Sequence, residues 1–376
     1  MKIHILDKYI LRGEMADYYF LITEKENINL QKKLVIFGAN VLGSSLKYPL
    51  LNYLKNIYGG GDIYSYMDND LTKVGRQISG LEIISPQMLK ENPNDYFVII
   101  TASLQNISII KEQLINFGMS GDDISYLLVV QSMDFESFEN MEYVNAAIDA
   151  FSHAYKHVPL HEINLAWLIT WISGIEWSKG LIRGILSDFK GKRKIRMLDI
   201  GPGIGIQSIA LKKLLNVDIT WIDVLECRDI PTKYSNENFN YLKENFNIHL
   251  IQGNIETIEH EFNEGFDIIL FSQVLEHFHF HPIGTMRKII SWLKQNGRIY
   301  LGVPDNKIKK GPRLYGSWKV MPIYNKNSYY DITDFGHQFE YYYEEAIDLF
   351  TELQLNVLNF TRCSNNDVLE FVLSKN

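Results

Sequence analysis

The sequence predicts an α/β protein with two parallel sheets in series. Three observations predict it. Short apolar runs alternate with helical patterns twice along the chain, each alternation opens on a glycine-rich turn, and 376 residues suffice for two cores. The 46% hydrophobic and 13% aromatic content supplies what those cores must bury.

The first alternation begins at Lys33 and fades near Val130. Its predicted strands are Leu34 to Gly38, Ile63 to Asp68, Tyr96 to Thr101 and Ile124 to Val129, with helices after Gly43 and around Ile109 to Phe117. A helical stretch rich in Trp and Leu follows, from Glu139 to Lys190. The second alternation predicts strands at Ile195 to Ile200, Asp218 to Val224, Ile248 to Gly253, Phe266 to Ser272 and Arg298 to Val303. The closing runs LNVLNFTRC and DVLEFVLS read as an antiparallel hairpin. The expected division is residues 1–130, a helical connector and lid over 131–190, and a second domain over 191–376.

Composition narrows the function. A net charge of −8 leaves no basic face for DNA or RNA, so no nucleic-acid partner is expected. The two cysteines, Cys227 and Cys363, are too few for a disulfide framework or a Cys-rich zinc module, which fits a reducing, cytoplasmic setting. Asp7, Lys8, Arg12 and Glu14 interrupt the opening MKIHILDKYILRGE, so it does not read as a signal peptide. No apolar run reaches the roughly 18 residues of a membrane span.

The stretch MLDIGPGIGIQS, Met197 to Ser208, carries most of the chemistry. Gly201, Gly203 and Gly205 are spaced G-x-G-x-G, whereas a pyrophosphate loop needs G-x-G-x-x-G to present its N–H groups. Pro202 removes one N–H, and the Asp199 carboxylate repels a phosphate but suits an ammonium group. S-adenosylmethionine has the ammonium and no phosphate.

With these motifs, Ile195 to Asn376 resembles a class I S-adenosylmethionine-dependent methyltransferase. Together with the strand pattern, the expected fold is two doubly wound, Rossmann-like α/β domains, the second with the class I methyltransferase sheet that the resemblance implies, closed by the antiparallel hairpin. The resemblance implies that Asp199, Gly201, Gly203 and Gly205 form the cofactor turn and that Asp223, ending TWIDV, takes the ribose hydroxyls. Asn254 and Ile255 in QGNIE fall near adenine, where the family usually has Asp rather than Asn. Ser272 and Gln273 open SQVLEHF, the segment beside the transferred methyl.

Methyl transfer needs a nucleophile placed in line and water kept out, and a hydroxyl nucleophile must also lose a proton. His277 is the leading base candidate, with Glu276 to orient it or touch the substrate. The alternative is that the pair caps a helix and packs against the cofactor loop. His337, in DFGHQFEYYYEEAIDLF, is a second pocket candidate or a structural histidine. His277, His279 and His281 alternate in EHFHFHP, but that spacing converges only on a strand, so no metal is expected.

Of two basic clusters, KGKRKIR precedes the first strand of its sheet and lies on the side away from ligands. NKIKKGPR follows the fifth strand, on the ligand side. There Lys307, Lys309, Lys310 and Arg313 suit an anionic acceptor, and Tyr315, Trp318, Tyr324, Tyr329 and Tyr330 offer stacking surface for a sugar or base. The alternative is an exposed loop with a satellite aromatic cluster.

The first domain, with FGANVLGSSL and SYMDNDLTKVGRQISGLEIISPQML, resembles the Rossmann-like N-terminal domain of bacterial acetyltransferases that bind nucleotide-linked sugars. Its turn, Gly38 to Gly43, lacks the middle glycine of an NAD site, and Asp68 is either a ribose ligand or a turn residue. Three readings follow. One is methyl transfer, to oxygen, on a phosphorylated or nucleotide-linked sugar or a related polar precursor of surface polysaccharide. The second is methyl transfer to a small metabolite or protein, with the first domain making a homodimer. The third is a nucleotide-binding assembly protein without turnover.

Overall fold

The computed structural model describes residues 2–12, 15–23, 28–133, 141–158, 163–192, 194–224, 232–326, 336–363 and 368–376. The chain divides into two compact units. One comprises Met1–Ser137, Phe151–Ser173 and Asp229–Pro231; the other comprises Phe138–Ala150, Gly174–Arg228 and Thr232–Asn376.

The first unit contains β1 (Lys2–Arg12), β2 (Met15–Thr23), β3 (Lys33–Phe37), β4 (Ile63–Met67), β5 (Gln77–Ile78), β6 (Leu81–Ile84), β7 (Tyr96–Ile100) and β8 (Ile124–Met133). They form one sheet in the order β1-β2-β8-β7-β3-β4-β6-β5. The core strands β8, β7, β3, β4 and β6 are parallel, while β1, β2 and β5 join antiparallel. The α/β expectation holds, and the sheet is wider than the four strands expected. Register shifts at Ile5/Asp7 and Ile10/Arg12 break the alternation in β1 that would have marked it as a strand. The β5–β6 hairpin turns on Ser79 and Gly80, both at positive φ, as a two-residue hairpin turn requires.

Between strands lie α1 (Val41–Tyr58) and α2 (Leu104–Asn116). Helix α1 starts before Gly43, not after it, because the Asn40 side chain accepts the Gly43 N–H at 2.8 Å and caps it. A Cβ at Gly43 would fall 2.0 Å from the Gly38 carbonyl oxygen, so the second glycine serves close backbone approach. Asp68 is a turn residue. Its carboxylate accepts the N–H groups of Ala39 and Asp70 and pairs with Lys73 at 2.9 Å, which takes up the lone pairs a ribose would need.

Helices α3 (Met141–Ala154) and α4 (Leu165–Trp177) each divide between the two units, while α5 (Lys179–Phe189) belongs to the second. There follow β9 (Ile195–Ile200), α6 (Ile206–Leu214), β10 (Val217–Asp223), α7 (Thr232–Phe246), β11 (His249–Gln252), β12 (Phe266–Ser272), α8 (Pro282–Ser291), β13 (Leu293–Pro304), α9 (Asn306–Lys309), α10 (Tyr343–Glu352), β14 (Leu355–Cys363) and β15 (Val368–Lys375). The sheet order is β11-β10-β9-β12-β13-β15-β14, with β15 antiparallel to both of its neighbours.

Helix α5, expected in a connector, is docked on this sheet. The Gly180 and Leu181 N–H groups donate to the buried Glu370 carboxylate at 3.0 and 3.4 Å, and the Tyr300 hydroxyl donates to Asp188 at 2.8 Å. Ala346, Leu349 and Phe350 of α10 recur at helical spacing and join Met286 and Ile289 of α8 in one core with Leu198, Phe271, Leu301 and Phe371. Because β10 and β12 flank β9, strand order reverses there, and a crevice opens beyond the carboxyl ends of those strands. Among the described residues, no helix is long and apolar enough to cross a membrane.

Candidate active site

The crevice is a cleft lined by Ile200, Gly201, Gly203, Ile222, Asp223, Val224, Gly253, Asn254, Ile255, Glu256, Gln273, Val274, His277, Phe278 and His279. Four segments separate in sequence thus converge: the glycine turn after β9, the end of β10, the end of β11 and the turn after β12.

The glycine turn is shaped by what surrounds it. Gly201, Gly203 and Gly205 all have positive φ, which other residues rarely adopt. A Cβ on Gly201 would lie 2.6 Å from Val274 Cγ2, across the cleft wall. One on Gly205 would lie 2.5 Å from the Trp221 ring, which is buried and anchored by its Nε1 donating to Ser208 Oγ at 2.9 Å. Gly205→Ala is therefore expected to cost about 2 kcal/mol or more, read as a lowered urea midpoint. A loss under roughly 0.5 kcal/mol would show that the turn tolerates a side chain.

Asp199, expected against the ligand, is instead buried behind the turn and is not a lining residue. Burial pushes its carboxyl up to about 7, with Asp223 adding to the rise and a Ser208 hydrogen bond opposing it. The unfolded chain then loses this proton first as pH rises, so the group lowers stability between the ordinary Asp value of about 4 and about 7. Asp199→Asn should flatten that part of a melting-temperature profile. An unchanged slope would contradict it.

Asp223 stands half-buried at the end of β10, facing the cleft. Asn254 Oδ1 accepts the Glu256 N–H at 2.7 Å, so its oxygen serves the local turn and its amide nitrogen is the group left for a ligand. Ile255 lines the cleft beside it. Glu256, absent from the sequence reading, bridges two walls: its carboxylate accepts the N–H groups of His279 and Phe280 at 2.8–3.0 Å. The Asn-x-Glu pattern after β11 was the available signal. Gln273 lines the cleft at a strained positive φ of 59°, and its buried Nε2 has no hydrogen-bond partner among the described residues. Ser272 does not line the cleft; it pairs with Gly302 inside the sheet.

Beyond Gln273, a turn Leu275–His277 brings Glu276, His277 and His337 together. The His277 and His337 rings meet edge to face, centroids 4.7 Å apart. Main-chain bonds fix the approach of the two segments: the Gln338 and Phe339 N–H groups both donate to the Glu276 carbonyl, at 2.7 and 3.0 Å. Glu276 is fully buried, neither carboxylate oxygen has a partner on another of the described residues, and burial pushes it up to about 8. The three alternating histidines diverge, His277 to His337, His279 to Glu256 and His281 to the Trp318 ring.

The basic, aromatic segment is divided. Lys307, Lys309 and Lys310 are exposed around α9, which the Asp305 side chain caps. Arg313 is held by Glu345 through two bonds of 2.6 and 2.7 Å and lies over the Phe339 ring, so its fork is filled and it is not a substrate cation. Trp318 is buried against His281 rather than offering a stacking face. Tyr315 packs on the core, Tyr324 on Phe280, and Tyr329 and Tyr330 lie outside the described residues.

A glycine cradle, a carboxylate at the end of β10 and an unpartnered amide at Gln273 fit S-adenosylmethionine. Residues 176–342 match the family described as methyltransferase domain. The chain carries an S-adenosylmethionine-dependent methyltransferase. Solved structures similar to it include an S-adenosylmethionine-dependent methyltransferase from Clostridium acetobutylicum, at 14% identity over 60% of this chain and 98% of that one, TM-score 0.37. Another is 1,6-didemethyltoxoflavin-N1-methyltransferase from Burkholderia thailandensis, with 1,6-didemethyltoxoflavin and S-adenosylhomocysteine bound: 16% identity, 62% and 87% coverage, TM-score 0.37. The cyclase SpnF is similar at 12% identity, with 55% and 82% coverage and a TM-score of 0.40. Likenesses this distant say nothing about substrate. No curated protein matches the chain.

Proposed function

We propose that this methyltransferase acts on an oxygen of a phosphorylated or nucleotide-linked sugar, or of a related polar precursor of surface polysaccharide. The observation that carries the reading is the meeting of Glu276, His277 and His337, one carboxylate and two imidazoles, of which His277 lines the cleft. Such a group suits a hydroxyl that must lose a proton and has no use for an apolar acceptor.

When bound, S-adenosylmethionine supplies an electrophilic methyl group on sulfur. The protein's residues do the rest. Gly201 and Gly203 leave room for the ligand, Asp223 accepts from the ribose hydroxyls, and Asn254 and Ile255 border the adenine. The Glu276, His277 and His337 cluster promotes loss of the acceptor's proton. The acceptor oxygen then forms the new bond to carbon while the pair of the broken S–C bond stays on sulfur. Lys309 and Lys310, exposed beyond β13, suit the acceptor's phosphates. The resemblance of the first unit to nucleotide-sugar acetyltransferase domains supports the same acceptor class.

The test is methyl transfer from labelled S-adenosylmethionine to a panel of nucleotide sugars, sugar phosphates, peptides and apolar metabolites, with products resolved by mass spectrometry. Label on a sugar hydroxyl is the expected outcome. Transfer confined to peptides or apolar metabolites would overturn the reading. Lys309→Ala with Lys310→Ala should raise KM for phosphorylated acceptors about tenfold and leave kcat near wild type.

A further inference from the structure

We infer that Glu276, His277 and His337 form a site for a divalent transition-metal cation at the acceptor end of the cleft, with Glu340 positioning His337. The inference deepens the proposed function, since the cation would sit where the acceptor's hydroxyl must lose its proton.

The donor atoms of the three residues all lie within 4.8 Å of one another. Metal–donor bonds of about 2.0–2.2 Å place neighbouring donors roughly 3–4 Å apart, so the three can close on one ion through small rotamer changes. Glu276 supplies the second observation. It is fully buried, and neither of its oxygens has a partner on another of the described residues. A buried carboxylate without partners is costly, and a cation is the partner that the surrounding imidazoles can share.

Glu340 explains why His337 is ready to bind. His337 Nδ1 lies 2.7 Å from Glu340 Oε1. An ionised carboxylate only accepts, so Nδ1 carries the proton and the lone pair is left on Nε2. Glu340 is itself locked: its other oxygen accepts the Gly311 N–H at 3.1 Å, and a Cβ on Gly311 would fall 2.1 Å from the carboxyl group. A carboxylate that holds a ligating histidine by its remote nitrogen is the usual support of such sites.

Two imidazoles and one carboxylate suit zinc, manganese or iron and leave coordination positions open. Because His277 lines the cleft, an acceptor hydroxyl can take one of them. Bound there, the hydroxyl is more acidic and releases its proton to water, and its oxygen attacks the methyl carbon. The histidines His279 and His281 take no part, since they point to Glu256 and Trp318.

The test is titration of the metal-stripped full chain with Mn²⁺, followed by electron paramagnetic resonance, and with Zn²⁺, followed by calorimetry, without turnover. One equivalent should bind. His337→Ala and Glu276→Gln should each weaken binding about 100-fold or more, and Glu340→Gln about 10- to 100-fold. S-adenosylmethionine affinity, measured in parallel, should stay within about threefold. Should Glu276→Gln not fold, His337→Ala and His337→Gln decide. No binding at millimolar metal, or wild-type binding in the His337 variants, would overturn the site. Loss of S-adenosylmethionine binding by the wild-type chain would sink the methyltransferase reading alone, since the metal titration stands without it.

Discussion

His277→Ala is expected to slow methyl transfer by about 10²- to 10⁴-fold while leaving S-adenosylmethionine affinity nearly intact. The ring lies at the meeting of the cleft and the Glu276–His337 cluster, where the proposed function places loss of the acceptor's proton, and away from Asp223 and Asn254, proposed for ribose and adenine. The interaction is made with the reacting group, so its removal lowers kcat and kcat/KM together and barely moves cofactor binding. His337→Ala should behave in the same direction, because the two rings pack edge to face in one cluster and their effects are coupled. Single-turnover rates at saturating cofactor, beside calorimetric Kd values, separate the two quantities. A loss below about tenfold would remove His277 from the chemistry and leave it as packing for the cofactor loop.

Asp223→Ala should raise the Kd for S-adenosylmethionine and S-adenosylhomocysteine about 10²-fold or more. The carboxylate stands at the end of β10 against the cleft, and a pair of charge-assisted hydrogen bonds to ribose hydroxyls is worth about 1.5–3 kcal/mol each. At about 1.4 kcal/mol per decade, losing both exceeds a factor of one hundred. Asp223→Asn keeps one acceptor and should cost nearer tenfold. Titration with S-adenosylmethionine, S-adenosylhomocysteine, NAD and UDP-sugars on wild type and both variants checks the ligand and the residue at once. An unchanged Kd in Asp223→Ala would move the ribose elsewhere, and NAD binding in preference to S-adenosylmethionine would mean that the glycine turn holds a pyrophosphate.

Much of this was legible because the signals are local. A turn with three glycines at positive φ needs glycine whatever surrounds it, so G-x-G-x-G after an apolar strand could be found from spacing alone. Asp223, Asn254 and Gln273 were named through the family resemblance, and all three line the cleft because parallel strands deliver their last residues to one edge of the sheet. The N-terminal strand β1 was not legible, because its two register shifts scramble the period of two. Asp199 was read as the carboxylate that meets the ligand's ammonium group, yet it is buried and does not line the cleft; burial raises its carboxyl and a Ser208 hydrogen bond opposes the rise.

Composition, the order of strands and helices, the glycine turn and the cofactor's chemical class were determined by the sequence, because each depends on neighbours a few residues apart. The partners of single side chains were decided only by tertiary structure. Arg313 and Lys310 look alike in NKIKKGPR, yet Glu345 from α10 fills the guanidinium fork of one and leaves the other exposed. His277 and His279 look alike in EHFHFHP, yet one meets His337 and the buried Glu276 and the other turns to Glu256. Such choices rest on distances between segments far apart in the chain, and those distances exist only after the sheet and its covering helices have packed.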